Sequence, residues 1–353
     1  EGWRSRAAPP PMVPARAAAW FASGAATYAL LRVAVHRALS RRALSSSRPP
    51  PPTALRPPPA MESILDAVGN TPLVRLRKVP GLREDVKLYA KLEAFNPLGS
   101  VKDRLALGVL AWAAHTGALK PGQTVVEASS GNTGIGLAMV CAEKGHPFVC
   151  VMAESFSVER RKLMRFLGAR VVLTPAHLKG TGMVRKAEEL AEAHGWFLAS
   201  QFTAEANAWI HEVSTGPEIL AQLAPRKPDY VVVGVGTGGT LTGVGRFMRD
   251  AAPNCQMVAL EPDNAPIFSA AERTPYDAQG RHVAPHPLWR PHLLQGWAAD
   301  FIPKIAQEAF DEKTCKQVVP VAGDKALEMA AALAAREGIL TGTSGGGAAA
   351  RAP

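Results

Sequence analysis

Short apolar runs alternate with longer amphipathic stretches along most of this chain. The runs at 87–91, 124–127, 147–152, 170–173, 229–235 and 257–260 are too short for helices and mostly rich in β-branched residues, so they read as strands. Between them, 134–144, 158–167 and 183–194 carry apolar residues at helical spacing. This alternation predicts an α/β fold with mostly parallel sheets. Glycine clusters stand where strands hand over to helices, and open α/β sheets bind ligands at those strand ends, so the clusters are expected to converge on one crevice. No internal repeat is visible.

Composition changes the picture at one end only. The 353 residues are 47% hydrophobic and 20% charged, which fits a globular protein with room for two packed domains. The formal charge of +10 first suggests a polyanion partner, but residues 1–60 hold nine arginines, no lysine and one acid. The remainder is close to neutral, and nucleic-acid binding loses its support. Arginine, alanine, serine and proline dominate 1–60, as in a transit peptide to a mitochondrion or chloroplast; the other reading is sequence upstream of a start at Met12 or Met61, with a cytoplasmic protein. The apolar run 17–31 falls short of the roughly 20 residues that span a bilayer, so no membrane helix is expected. Cys141, Cys150, Cys255 and Cys315 form no C-x-x-C pair and no zinc spacing, so neither a disulfide framework nor a metal site is predicted.

Four segments carry candidate chemistry. In Asn96-Pro97-Leu98-Gly99-Ser100-Val101-Lys102-Asp103-Arg104 a lysine opens an apolar helical pattern, where the positive end of the helix dipole favours the neutral amine that carbonyl chemistry needs. Ser129-Ser130-Gly131-Asn132-Thr133-Gly134 lies between a strand and a helix and offers hydroxyls, an amide and free N–H groups to a carboxylate or phenolate, or is simply a capped turn. Gly234-Val235-Gly236-Thr237-Gly238-Gly239-Thr240 follows a buried strand and suits a phosphate. It also satisfies G-x-G-x-x-G with Glu261 about 20 residues on, which keeps a dinucleotide site open. Gly342-Thr343-Ser344-Gly345-Gly346 matches a hydrolase elbow, but no acid or histidine follows Ser344, so it reads as a hydrogen-bond partner or turn cap.

Taken in order with Gly69-Asn70-Thr71-Pro72-Leu73, Ser157-Val158-Glu159-Arg160-Arg161, Gln201-Phe202, Thr215-Gly216-Pro217-Glu218 and Glu261-Pro262, these segments resemble the cysteine synthase (O-acetylserine sulfhydrylase) family of fold-type II pyridoxal-phosphate enzymes. The resemblance runs from about Ser63 onward. It implies two domains, each with a mostly parallel twisted sheet flanked by helices, like the tryptophan synthase β-subunit. The leader would be 1–60 and the catalytic region 61–353, with a substrate-side domain about 98–205 inserted in a cofactor domain about 61–97 plus 206–353. By resemblance, Lys102 forms the Schiff base with pyridoxal 5'-phosphate and shuttles the substrate α-proton. Asn132 bonds the ring oxygen, Gly236, Thr237, Gly238, Gly239 and Thr240 hold the phosphate, and Ser344 faces the pyridine nitrogen. Ser130, Gly131, Thr133, Gln201 and Gly296 line the substrate position. The implied reaction turns O-acetyl-L-serine and sulfide into L-cysteine through an aminoacrylate. Implied partners are a second copy in a homodimer and a serine acetyltransferase.

The chain also departs from the family pattern. Gln295-Gly296-Trp297-Ala298-Ala299-Asp300-Phe301 stands where many members have Gln-Gly-Ile-Gly-Ala-Gly-Phe, bringing an indole and a charge toward the site. Gly345 and Gly347 replace a serine and an alanine, and Ala153-Glu154-Ser155-Phe156 replaces Pro-Glu-Thr-Met. The sequence stops nine residues after Ser344, where members continue, which suggests a fragment. A scaffold that has lost turnover, and a cystathionine β-synthase-like or other β-replacement activity, are the alternatives.

Overall fold

The computed structural model describes residues 60–277 and 283–351; the leader expected over 1–60 lies outside them, apart from Ala60. An antiparallel pair comes first, β1 (Leu73–Arg75) against β2 (Tyr89–Lys91). Then follow α1 (Lys102–His115), β3 (Val125–Ala128), α2 (Asn132–Lys144), β4 (Phe148–Ala153), α3 (Val158–Phe166), β5 (Arg170–Thr174), α4 (Lys179–His194) and β6 (Phe197–Leu198). These strands form a parallel sheet in the order β5-β4-β3-β6. The chain continues through α5 (Glu205–Ile210), a π-helical turn (His211–Thr215), α6 (Gly216–Leu223), β7 (Tyr230–Gly234), α7 (Gly239–Ala251), β8 (Gln256–Pro262), α8 (Lys304–Asp311), β9 (Gln317–Val321), α9 (Gly323–Ala332) and α10 (Thr343–Ala350). Strands β7, β8 and β9 form a second parallel sheet in that order.

Each β-residue points opposite to its neighbour, and the first parallel sheet uses both faces. Val125, Cys150 and Met152 pack with Leu105, Val109, Leu137 and Val140 from α1 and α2. Val126, Val149 and Val151 pack with Met183 and Ala187 of α4 on the other side. Burial on both faces explains why β4 reads as an unbroken apolar run, and β3 as one interrupted only by the buried Glu127, rather than as alternating strands. Around the second sheet, Leu241, Val244 and Met248 of α7 meet Met257, Leu260 and Val321.

The expected strand at 87–91 is real but antiparallel, an exception to the parallel pattern. Helices α2 and α4 begin earlier than their apolar spacing implied, at Asn132 and Lys179. No helix among the described residues is long and apolar enough to cross a membrane.

Candidate active site

The turn that precedes α1 is fixed by its own polar groups. Gly69 N donates to Asn96 Oδ1 at 2.8 Å, Asn96 Nδ2 donates to Glu93 Oε2 at 2.8 Å, and Leu98 N donates to Asp103 Oδ2 at 2.7 Å. Beside them the buried Arg104 guanidinium meets Glu93 and Glu218, both at 2.7 Å. This charged base anchors the first turn of α1, although Asp103 Oδ1 is buried without a partner, and Lys102 stands at the start of the helix facing the cleft. The Lys102 amine has no hydrogen-bond partner among the described residues. Burial brings its pKa from 10.5 down to about 8, against the pull of the Glu127 carboxylate. Glu127 is itself pushed up to about 7 by burial, although Gln201 N donates to it at 3.1 Å.

The turn after β3 is held together by side chains. Ser129 Oγ accepts from Gly131 N at 3.2 Å and from Gly134 N at 2.9 Å. Thr133 Oγ1 donates to Gln201 Oε1 at 2.7 Å, and Gln201 Nε2 donates to Ala128 O at 2.7 Å. With these groups satisfied internally, half-buried Ser130 and exposed Asn132 present side chains without protein partners among the described residues. Arg160 Nη1 donates to Ser130 O at 3.2 Å and closes the back of the turn.

The turn after β7 is shaped by close approach. A Cβ at Gly236 would fall 2.4 Å from Gly296 O, and one at Gly239 would fall 2.0 Å from Asn207 Oδ1. Gly238 takes φ +93°, where side chains are strained. Asn207 Nδ2 donates to Thr237 Oγ1 at 2.9 Å, and His211 Nε2 lies 3.3 Å from Thr240 Oγ1. Burial keeps His211 neutral, its pKa lowered to about 3, so it orients Thr240 without adding charge. Gly296 then abuts Ser344, whose Oγ lies 2.7 Å from where a Gly296 Cβ would stand.

One cleft of about 1930 Å³ takes in Lys102, Ser130, Gly131, Asn132, Thr133, Gln201, Gly236, Thr237, Gly238, Gly239, Thr240, Gly296 and Ser344. Every residue that the family resemblance assigns to the site is brought together. Missed were Glu127, Arg160, Asn207 and His211, which act through partners distant in sequence. One lookalike falls away. Glu261 is fully buried and accepts from Phe268 N at 2.8 Å and Ser269 N at 3.3 Å, so it caps a loop instead of holding a ribose. Trp297 packs into the second core against Gly234 and Gly347 and also lines the cleft, and Asp300 brings a charge to the cleft wall, as the sequence implied for both.

The donor set fits a phosphorylated aldehyde cofactor. The glycine turn opens α7 with N–H groups that a helix leaves free, and Thr237, which accepts from Asn207 Nδ2, retains a hydroxyl proton to donate. An unpartnered amine of lowered pKa and an unpartnered amide complete the set. Fold and site together define a pyridoxal-phosphate enzyme of the α/β class. The family model described as pyridoxal-phosphate dependent enzyme matches residues 64–352. Among curated proteins the chain is 45% identical over 288 residues to an O-ureido-L-serine synthase of Streptomyces lavendulae, covering 82% of each chain. It is 43% identical over 289 residues to a cysteine synthase of Staphylococcus aureus, covering 82% of this chain and 86% of that one. Of solved structures, an O-ureido-L-serine synthase superposes with TM-score 0.74 at 44% identity, over 84% of this chain and 89% of that chain. Isoform 3 of O-acetyl serine sulfhydrylase from Entamoeba histolytica gives 0.74 at 33% identity, over 84% of both. The chain belongs to the fold-type II pyridoxal-phosphate enzymes of the cysteine synthase family, which carry out β-replacement.

Proposed function

We propose that the chain replaces the acetate of O-acetyl-L-serine with sulfide to form L-cysteine. The observation that carries this reading is the unpartnered Lys102 amine, of pKa about 8, in one cleft with an anion-binding turn and a hydroxyl-rich turn. When bound, pyridoxal phosphate supplies an aldehyde that captures primary amines and a ring that accepts the electron pair left by a departing α-proton. Gly236 to Thr240 would hold its phosphate, and Asn132 and Ser344 would hold its ring oxygen and ring nitrogen. A neutral serine at that nitrogen suits elimination at Cβ. Ser130, Gly131 and Thr133, at the start of α2, hold the α-carboxylate with Gln201 behind them. Lys102 Nζ takes the α-proton and later returns it to Cα.

Purified protein loaded with cofactor should show its visible band, and Lys102→Ala should abolish that band and lower cysteine formation by about 10³-fold or more. An unchanged spectrum overturns the assignment. Cysteine production by the isolated chain would also reject the scaffold alternative.

A further inference from the structure

Lys179 opens α4 in a backbone conformation of φ +51° and ψ −151°, a region that glycine uses and other residues rarely enter. The placement is unfavourable a second time, because a cation in the first turn of a helix faces the positive end of the dipole, and that turn of α4 holds no acid to offset it. Another contact must keep the lysine there. Its ammonium stands 5.1 Å from the centroid of the Trp289 ring, within the range where a cation is drawn to an aromatic face. Both residues line the cleft that contains Lys102, at its rim, with Lys179 exposed and Trp289 half-buried. They come from different halves of the molecule: α4 packs on the first parallel sheet, whereas Trp289 packs against the core of the second.

The ring is tethered to the site. Trp289 Nε1 donates to Ala298 O at 3.0 Å, and Ala298 N donates to Val235 O at 2.9 Å, one residue before the 236–240 turn. Two residues past Lys179, Thr181 Oγ1 donates to Asp300 Oδ2 at 3.1 Å, a second contact between the same halves. Strained backbone persists where surrounding contacts over-determine it, and it collects at clamps and switches. We infer that Lys179 and Trp289 form a latch across the rim of the cleft, two positioning residues that hold the halves together and keep water out during the reaction. This rests on the β-replacement reading above. The side reaction that the latch suppresses balances without a redox partner. The Cβ–O bond breaks with its electron pair leaving on acetate, the oxygen of water takes the place of the amino nitrogen on Cα, and pyruvate, ammonia and acetate are the products.

The test gives cofactor-loaded protein O-acetyl-L-serine with and without sulfide. Acetate release from the donor alone reports the first half of the reaction; its absence overturns the β-replacement reading, and the contact itself is then judged on unloaded protein. With sulfide present, the ratio of pyruvate to cysteine should rise about threefold or more in Lys179→Met and in Trp289→Leu. It should stay near the wild-type value in Lys179→Arg, which keeps the cation, and rise no further in the double variant than in either single one. Normal acetate release with an unchanged ratio in both single variants overturns the latch alone. In unloaded protein, acrylamide should quench tryptophan emission more strongly in Lys179→Met than in wild type, and the same substitution should change nothing in a Trp289→Leu background. Equal quenching with and without the lysine also overturns it. Lys179→Gly relieves the backbone, so it should keep or raise the unfolding midpoint and still raise the pyruvate ratio. A midpoint lower by about 2 °C or more would show that the lysine serves the fold rather than the cleft.

Discussion

The turn at 129–134 after β3 and the turn at 234–240 after β7 both carry a parallel strand into a helix, yet they meet a ligand with different parts of the chain. In the first, Ser129, Thr133 and Gln201 satisfy the backbone and each other, which frees Ser130 and Asn132 to face the cleft. In the second, neighbouring elements come so near that only glycine fits at 236 and 239, and the backbone itself is what remains exposed to an anion. Side-chain donors discriminate shape and hydrogen-bond pattern; bare N–H groups at a helix start accept any phosphate. On the proposed function, specificity falls to the first turn and affinity to the second.

Gly239→Ala should break the second turn most severely. The new Cβ would stand 2.0 Å from Asn207 Oδ1, and Asn207 would have to leave both Gln201 O and Thr237 Oγ1, its partners at 2.8 and 2.9 Å. Overpacking of this kind costs about 1–3 kcal/mol. Cofactor affinity, measured by titrating the visible band, should fall at least about tenfold, because a displacement of the phosphate grip weakens every later contact. Wild-type affinity in this variant would mean that Asn207 moves freely and that the loop is not positioned by its neighbours.

Ser129→Ala is the matching change in the first turn. It removes the acceptor of two buried N–H groups, a loss of about 1–3 kcal/mol readable by thermal unfolding. Cofactor affinity should change less than in Gly239→Ala, while KM for the amino-acid donor rises. Equal effects of the two substitutions on cofactor affinity would erase the division of labour between the turns.

Much of this was legible in the sequence because it is local. Strands β3, β4, β7 and β8 announce themselves as runs of valine and other mostly apolar residues, fully buried in β4 but only half-buried in most of β7, and Lys102, Asn132 and the 236–240 loop sit at helix starts that their own residue types mark. Strand β6 has two residues and β9 contains Pro320, so neither carries a pattern of useful length. Asn207 and His211 were not legible, since the groups they hold, Thr237 and Thr240, lie about 30 residues away. Trp297 does line the cleft, but only the fold shows that Gly234 makes room for its indole in the core.

The smallest expected effect concerns the groups between the two turns. Glu127 has its pKa raised from 4.5 to about 7, so between those values the folded state binds more protons than the unfolded one, and stability should fall as pH rises through the window. Lys102 has its pKa lowered from 10.5 to about 8, so the folded state binds fewer protons from about 8 upward, and stability should climb with pH until about 10.5. Glu127→Gln removes the first slope. Because the Glu127 charge is what holds the Lys102 ammonium up against burial, the same change should also move the midpoint of cofactor uptake below the wild-type value near pH 8. Unfolding curves and cofactor-binding rates of both proteins across pH 5 to 10 check the two signs separately. A midpoint that stays fixed, or rises, would show that the two groups do not sense each other and that burial alone sets the amine.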